Sequence, residues 1–205
     1  SFQSSLLSAY SNVLFNGLKP LLLVESQLEK LDNYNLLIIP ECTNVTDETF
    51  SAIEKFVNRG GKLVIIGEDS LYKNELNAER NKDAVLNIYK NAVIIKTDVN
   101  SKKDITTAVN LPETISEVIG GMNLTNVKIT DKATGENIDR TEWICVPYDG
   151  GYLLNMCRYV WGDAKDVEIT VDGKKIEKFY DLRENEYLDG ITLEEYTPLF
   201  VKIEG

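Results

Sequence analysis

Between Asn33 and Tyr72 the spacing of apolar residues changes three times, and each change marks an element. Leu36-Leu37-Ile38-Ile39 is a continuous apolar run closed by Pro40, the pattern of a strand covered on both faces. Thr46 is placed to cap a helix, with Asp47 and Glu48 in the first turn, where the helix dipole favours negative charge. Phe50, Ile53, Phe56 and Val57 then recur at helical spacing on one face. Arg59 falls in the last turn, and Gly60-Gly61 supply a left-handed stop. Leu63-Val64-Ile65-Ile66 is a second buried strand, with Gly67-Glu68-Asp69-Ser70 as the turn at its carboxyl end. Strand, helix and strand make a βαβ unit, and ligands of open α/β sheets sit beyond such strand ends.

The same α/β alternation runs to about residue 110. Residues 3–17 predict an amphipathic helix ending at Gly17, with Phe2, Leu6, Leu7, Tyr10, Val13 and Leu14 as apolar positions. Lys19 to Val24 predicts a short strand and Glu25 to Leu31 a helical turn. Residues 71–82 are polar and predict a loop, Ala84 to Tyr89 a short helix or turn, and Ala92 to Ile95 a further strand. Asp104 to Val109 and Pro112 to Ile119 read as helical, with Pro112 suited to a first turn.

Beyond Gly120-Gly121 the period becomes two. Val127–Ile129, Trp143–Val146, Tyr152–Met156, Val167–Val171, Lys178–Tyr180 and Leu199–Ile203 predict short strands. Gly135, Asp149-Gly150-Gly151, Gly162-Asp163, Asp172-Gly173 and Asp189-Gly190 punctuate them as turns. Asp172-Gly173 is the strongest hairpin signal. Short strands so spaced imply an antiparallel sandwich, so the chain divides into an α/β domain over 1–115 and a β-sandwich over 120–205.

Composition narrows what such a chain does. The net charge is −11, with 33 acidic against 22 basic side chains, which repels a phosphate backbone and disfavours anionic membranes. Its apolar runs fall far short of a membrane span. No nucleic acid and no membrane are expected as partners. Histidine is absent, which removes Ser-His-Asp and Cys-His constellations and imidazole metal sites together. Cys42, Cys145 and Cys157 lie too far apart for a CxxC motif. A bridge between Cys145 and Cys157 stays open, with reduced, packed thiols the expectation. No metal and no cofactor are expected; Asp163, Asp166 and Asp172 lack the spacing of a calcium loop.

The order and wording of these segments resemble the non-catalytic C-terminal part of family 42 glycoside hydrolases, the β-galactosidase type. The residues that carry the resemblance are Leu31–Pro40, Val45-Thr46-Asp47-Glu48, Val57-Asn58-Arg59-Gly60-Gly61-Lys62-Leu63 and Gly67–Tyr72. At the far end, Tyr180-Asp181-Leu182 and Gly190-Ile191-Thr192-Leu193, followed by Tyr196 and Leu199, resemble its closing strands. The resemblance implies a flavodoxin-like, class I glutamine-amidotransferase-like parallel sheet followed by a small antiparallel β-sandwich. It also implies that the α/β domain lacks its first strand and serves in trimerisation. The catalytic (β/α)8 barrel would then lie outside these 205 residues. The implied setting is bacterial carbohydrate metabolism, with the cytoplasm favoured over secretion.

No catalytic residue is expected here. A true amidotransferase needs a cysteine at the strand-end turn and a histidine to activate it. This turn has neither. What remains is a pocket rim of Glu41, Asn44, Glu68, Asp69 and Tyr72, with Glu41 and Glu68 the better-spaced carboxylate pair for glycosidase chemistry. Solvated, helix-capping acids are the plainer reading. In the second half Trp143 and Trp161, among Tyr148, Tyr152 and Tyr159, are candidates for stacking on carbohydrate, against the alternative that such rings fill a sandwich core. A carbohydrate- or small-ligand-binding module is therefore the second functional reading. Asn44-Val45-Thr46 and Asn123-Leu124-Thr125 match the glycosylation sequon.

Overall fold

A computed structural model describes residues 2–97 and 110–204. Its chain forms two compact units, Ser1–Tyr10 with Leu21–Val118, and Ser11–Pro20 with Ile119–Gly205. The first holds a three-stranded parallel sheet, β1 (Leu36–Pro40), β2 (Lys62–Ile66) and β3 (Ala92–Ile95), in that order. Registers such as Ile38 opposite Val64 and Ile65 opposite Ile94 put the apolar runs side by side. Helices α2 (Asp47–Asn58) and α3 (Lys82–Tyr89) alternate with these strands, with a 3-10 segment at Glu25–Asn33, while α1 (Phe2–Phe15) and α4 (Asn110–Gly121) have their last residues, from Ser11 and from Ile119, counted with the second unit. The helix expected at 104–109 lies outside the described residues.

The capping logic of the βαβ unit is realised atom by atom. Thr46 Oγ1 accepts from the Thr49 N–H at 3.1 Å, satisfying one donor that the helix itself cannot. At the other end Gly61 N donates to Phe56 O and Gly60 N to Val57 O, both at 2.9 Å, with Gly60 at φ +91. That is a Schellman stop. Arg59 does more than face the dipole: its guanidinium donates to Leu31 O and Tyr34 O at 2.8 and 2.7 Å and lies 4.8 Å over the Phe56 ring. Phe50, Ile53 and Phe56 are buried, as their spacing requires, and Phe50 and Ile53 share a core with Ile39, Leu63, Ile65, Leu71, Val85 and Ile88.

Two expectations need correction here. Lys19 to Val24 forms no strand; it pairs with none of the three parallel strands. Apolar content alone cannot make a strand without a ladder partner, and Leu21, Leu22 and Val24 are left 46–56% exposed. Nor is β1 enclosed on both faces: Leu36, Leu37 and Ile38 are only half-buried because β1 sits at the sheet edge. Full enclosure falls to Leu63–Ile66 of the central strand.

The second unit packs two antiparallel sheets on one core. Its strands are β4 (Val127–Asp131), β5 (Thr141–Tyr148), β6 (Gly151–Arg158), β7 (Lys165–Val171), β8 (Lys174–Lys175), β9 (Phe179–Asp181), β10 (Glu186–Leu188), β11 (Ile191–Leu193) and β12 (Leu199–Ile203). One sheet runs β10-β9-β12-β6-β5 and the other β11-β7-β4, with β8 hairpinned onto β7. Alternate residues face inward, so Val127, Ile129, Leu154, Met156, Ile169, Leu193, Val201 and Ile203 meet in the middle. Asp149-Gly150 and Asp172-Gly173 both have positive φ at two successive positions, the turn whose twist matches an antiparallel pair.

One turn of this sandwich carries a pH-dependent tie. Asp131, at the end of β4, accepts from Lys165 Nζ and from the Ala133 N–H, both at 2.8 Å. The Lys165 hydrogen bond, helped by that backbone N–H, holds its carboxyl below the usual range. A depressed folded-state pKa contributes stability that is present above the ordinary carboxylate range and lost as pH falls through the folded value. Denaturant midpoints measured between roughly pH 6 and pH 3 should therefore fall less steeply in Asp131→Asn than in the parent chain. Parallel acid limbs would contradict this.

Candidate functional site

The carboxyl ends of the parallel strands gather most of the groups picked out in the first half. Pro40 ends β1, and Glu41 follows at φ +45, a left-handed conformation that costs a non-glycine residue about 1 kcal/mol or more. Its N–H donates to Ile66 O at 2.9 Å, and the Gly67 N–H donates to Ile95 O at 2.9 Å. These bonds prolong the parallel ladder one residue past each strand. They also bring Glu41 over Gly67, where a Cβ would meet Glu41 Cγ at 3.0 Å and Asp69 Oδ1 at 3.5 Å. Gly67 itself lies at φ +87, so the close approach and the conformation both call for glycine.

The carboxylates therefore group differently from the expected pair. Glu41 and Asp69 converge beside Gly67, and Asp69 Oδ2 accepts from Thr43 Oγ1 at 3.3 Å. Glu68 instead pairs with Lys96 at 2.9 Å, with both side chains well exposed. Asn44 is engaged by the following loop: its Nδ2 donates to Asn74 O at 3.0 Å and lies 3.4 Å from Asn77 Oδ1. Tyr72 is half-buried and packs edge-on against Tyr89, with ring centroids 5.8 Å apart. The Tyr89 hydroxyl donates to Ser70 O at 2.7 Å, and burial pushes that phenol up.

Ser70 and Cys42, at the strand ends, are held in unreactive states. Ser70 is fully buried and spends its hydroxyl proton on Ile66 O at 3.0 Å. Burial pushes the Cys42 thiol up to about 11, which leaves it protonated at neutral pH and a poor nucleophile. Cys145 is pushed to about 11 for the same reason, and Cys42, Cys145 and Cys157 are all free thiols. Among the described residues no group of three cysteines or carboxylates is arranged to hold a metal ion, and no helix is long and apolar enough to cross a membrane. Asp166 and Asp172 are occupied elsewhere, accepting from Thr192 Oγ1 and Asn126 Nδ2.

The two tryptophans have opposite fates. Trp143, on the inward phase of β5, is 6% exposed and belongs to the sandwich core. Trp161, in the loop after β6, is 76% exposed. It lies beside Tyr196, with centroids 5.0 Å apart and ring planes at 55°, and Tyr196 in turn meets Tyr159 edge-on. Sequence reading missed Tyr196 as part of this cluster, because it stands 35 residues from Trp161 and only the fold joins them. It also missed a cavity of about 160 Å³ in the second unit, lined by Phe15, Asn16, Asn123, Thr125, Asn137 and Trp143 among others. Asn16 is buried there and donates from Nδ2 to Asn12 O at 2.8 Å.

No protein-family model matches this chain, and no curated protein is similar to it in sequence. Solved structures do share its fold. The apo exo-carrageenase GH42 from Bacteroides ovatus superposes on 98% of this chain with a TM-score of 0.62 and 16% identity. Gan42B, a GH42 beta-galactosidase, matches the whole chain with a TM-score of 0.65 and 12% identity. A catalytic mutant of Gan42B from G. stearothermophilus gives 0.63 at 13% identity over 99%. The chain spans only 26% of the exo-carrageenase and 36% of the beta-galactosidase. Its whole length thus has the fold of one part of much longer GH42 glycoside hydrolases.

Proposed function

We propose that this chain is the non-catalytic accessory and assembly region of a bacterial glycoside hydrolase. In this reading the first unit is a class I glutamine-amidotransferase-like domain that no longer does amidotransferase chemistry, and the second is the sandwich that closes the polypeptide. The observation that carries it is the coverage: nearly all of this chain matches about a quarter to a third of each GH42 enzyme. The strand ends agree, since they hold a buried, donating Ser70 and a protonated Cys42 in a chain without histidine. Its partners would be a catalytic barrel and further copies of itself in a trimer.

Self-association has a surface to act through. Leu21, Leu22 and Val24 are apolar, exposed and, among the described residues, without a strand partner, and exposed apolar clusters mark association sites. Light scattering should find the parent chain as an oligomer and Leu21→Glu/Leu22→Glu as a monomer with unchanged circular dichroism. A nitrophenyl β-galactoside should not turn over above background with the chain alone. A monomeric parent would remove the assembly role. Turnover that disappears in Glu41→Gln would overturn the non-catalytic reading.

A further inference from the structure

The cluster of Tyr159, Trp161 and Tyr196 has the build of a recognition surface. Large aromatic rings are normally withdrawn from water, yet these three are 43%, 76% and 47% exposed, and Tyr196 packs against both of the others. They are also pinned from beneath. Tyr196 N donates to Arg158 O at 2.8 Å, and Tyr159 N to Arg140 O at 2.9 Å. The Arg158 side chain, itself buried, donates from Nη1 to Asp163 O at 2.9 Å and so holds the loop that carries Trp161. Tyr196 is kept at φ +51, a conformation that a bulky residue adopts only when its surroundings enforce it.

Glu195, next to Tyr196 in the chain, carries a carboxylate with one oxygen spoken for. Glu195 Oε2 accepts from the Gly162 N–H at 3.0 Å, which fixes the side chain next to Trp161. Its Oε1 has no hydrogen-bond donor among the described residues. An apolar ring face beside a fixed hydrogen-bond acceptor suits a ligand with a C–H face and a rim of hydroxyl donors. Pyranose sugars have that chemistry. The fixed Glu195 carboxylate, with Glu194 and Asp163 next to Glu195 and Gly162 in sequence, and the chain's net charge of −11 select against sulfated or uronic sugars.

We infer that Trp161, Tyr196 and Tyr159, with Glu195, form a binding surface for a neutral oligosaccharide. Stacking falls to Trp161, the acceptor role to Glu195, and the pinned backbone removes much of the ordering cost of binding. The site lies wholly within the second unit. It stands whether or not the chain assembles as proposed above.

The chain has two tryptophans, and only Trp161 is open to solvent, so intrinsic fluorescence reads the site directly. Titration with β-1,4-galactotetraose should give a saturable change in emission, with a dissociation constant on the order of 1 mM. Calorimetry should show that binding lost in Trp161→Ala and weakened about tenfold in Tyr196→Ala. Glu195→Gln, which keeps shape and removes charge, should weaken the neutral sugar severalfold. A sulfated galactan tetrasaccharide should not bind the parent chain. Absence of saturable binding to the neutral probe, tighter binding of the sulfated one, or a Trp161→Ala variant with undiminished affinity would each overturn the assignment. If Trp161→Ala alters the oligomer and leaves sugar titrations flat in both proteins, the patch is a protein interface instead.

Discussion

Gly17→Ala should destabilise the second unit by about 2–5 kcal/mol, because it meets two separate obstacles at one atom. Gly17 ends α1 as the left-handed residue of a Schellman stop: its N–H donates to Leu14 O at 3.0 Å, and Leu18 N to Val13 O at 3.1 Å. Its φ is +69, which costs an alanine roughly 1–2 kcal/mol. A Cβ there would also fall 2.1–2.3 Å from Cη2, Cζ2 and Cζ3 of Trp143, inside any allowed contact. Trp143 is packed in the sandwich core and cannot swing away without opening it. Gly173 separates the two costs, since it has φ +75 with nothing within 4 Å of its Cβ. Urea denaturation followed by tryptophan emission should show Gly173→Ala losing only the conformational part. Trp143→Leu should absorb much of the Gly17→Ala penalty in the double variant. Equal midpoint shifts for the two glycine variants would mean the indole does not press on Gly17.

Those glycines show what sequence made legible and what it did not. A helix stop at Gly17, another at Gly60 and hairpins at Asp149-Gly150 and Asp172-Gly173 follow from local conformational preference, and all appear where the residues place them. The contact between Gly17 and Trp143 does not follow, because 125 residues separate them in sequence and only the tertiary fold brings them together. Strand content failed for the same reason at Lys19–Val24, where the apolar residues have no ladder partner among the described residues. β8 and β10, of two and three residues, are too short to show a period and exist only as additions to longer neighbours.

At the candidate sites the divide is similar. Glu41, Glu68 and Asp69 were recognisable as strand-end carboxylates, but their grouping turned on a left-handed Glu41, which local preference would assign to glycine or asparagine. That conformation sets Glu41 and Asp69 on one side of Gly67 and leaves Glu68 to Lys96. Alternation placed Trp143 inside only once the register of β5 on β6 was known, with Trp143 opposite Met156. Trp161 sits beyond Arg158, the last residue of β6, in a loop where no period applies.

Phe56→Ala should cost about 3–5 kcal/mol in the first unit, and its coupling to Gly61 should be large. The ring is 1% exposed, so truncation leaves a cavity as well as removing apolar burial. It also withdraws the surface on which the Arg59 guanidinium lies while that group donates to Leu31 O and Tyr34 O. Gly61, at the close of the same Schellman stop, has the opposite problem: a Cβ there would sit 2.4–2.6 Å from the Phe56 ring. Gly61→Ala alone should therefore destabilise by about 1–3 kcal/mol through overpacking. In the Phe56→Ala background the added methyl enters vacated space, and its cost should nearly vanish. Both tryptophans lie in the other unit, so the cycle is read by far-ultraviolet circular dichroism and by amide exchange of the β2 residues Leu63–Ile66. Additive costs would show that the ring and Gly61 act separately, and that the helix stop is held by its backbone bonds alone.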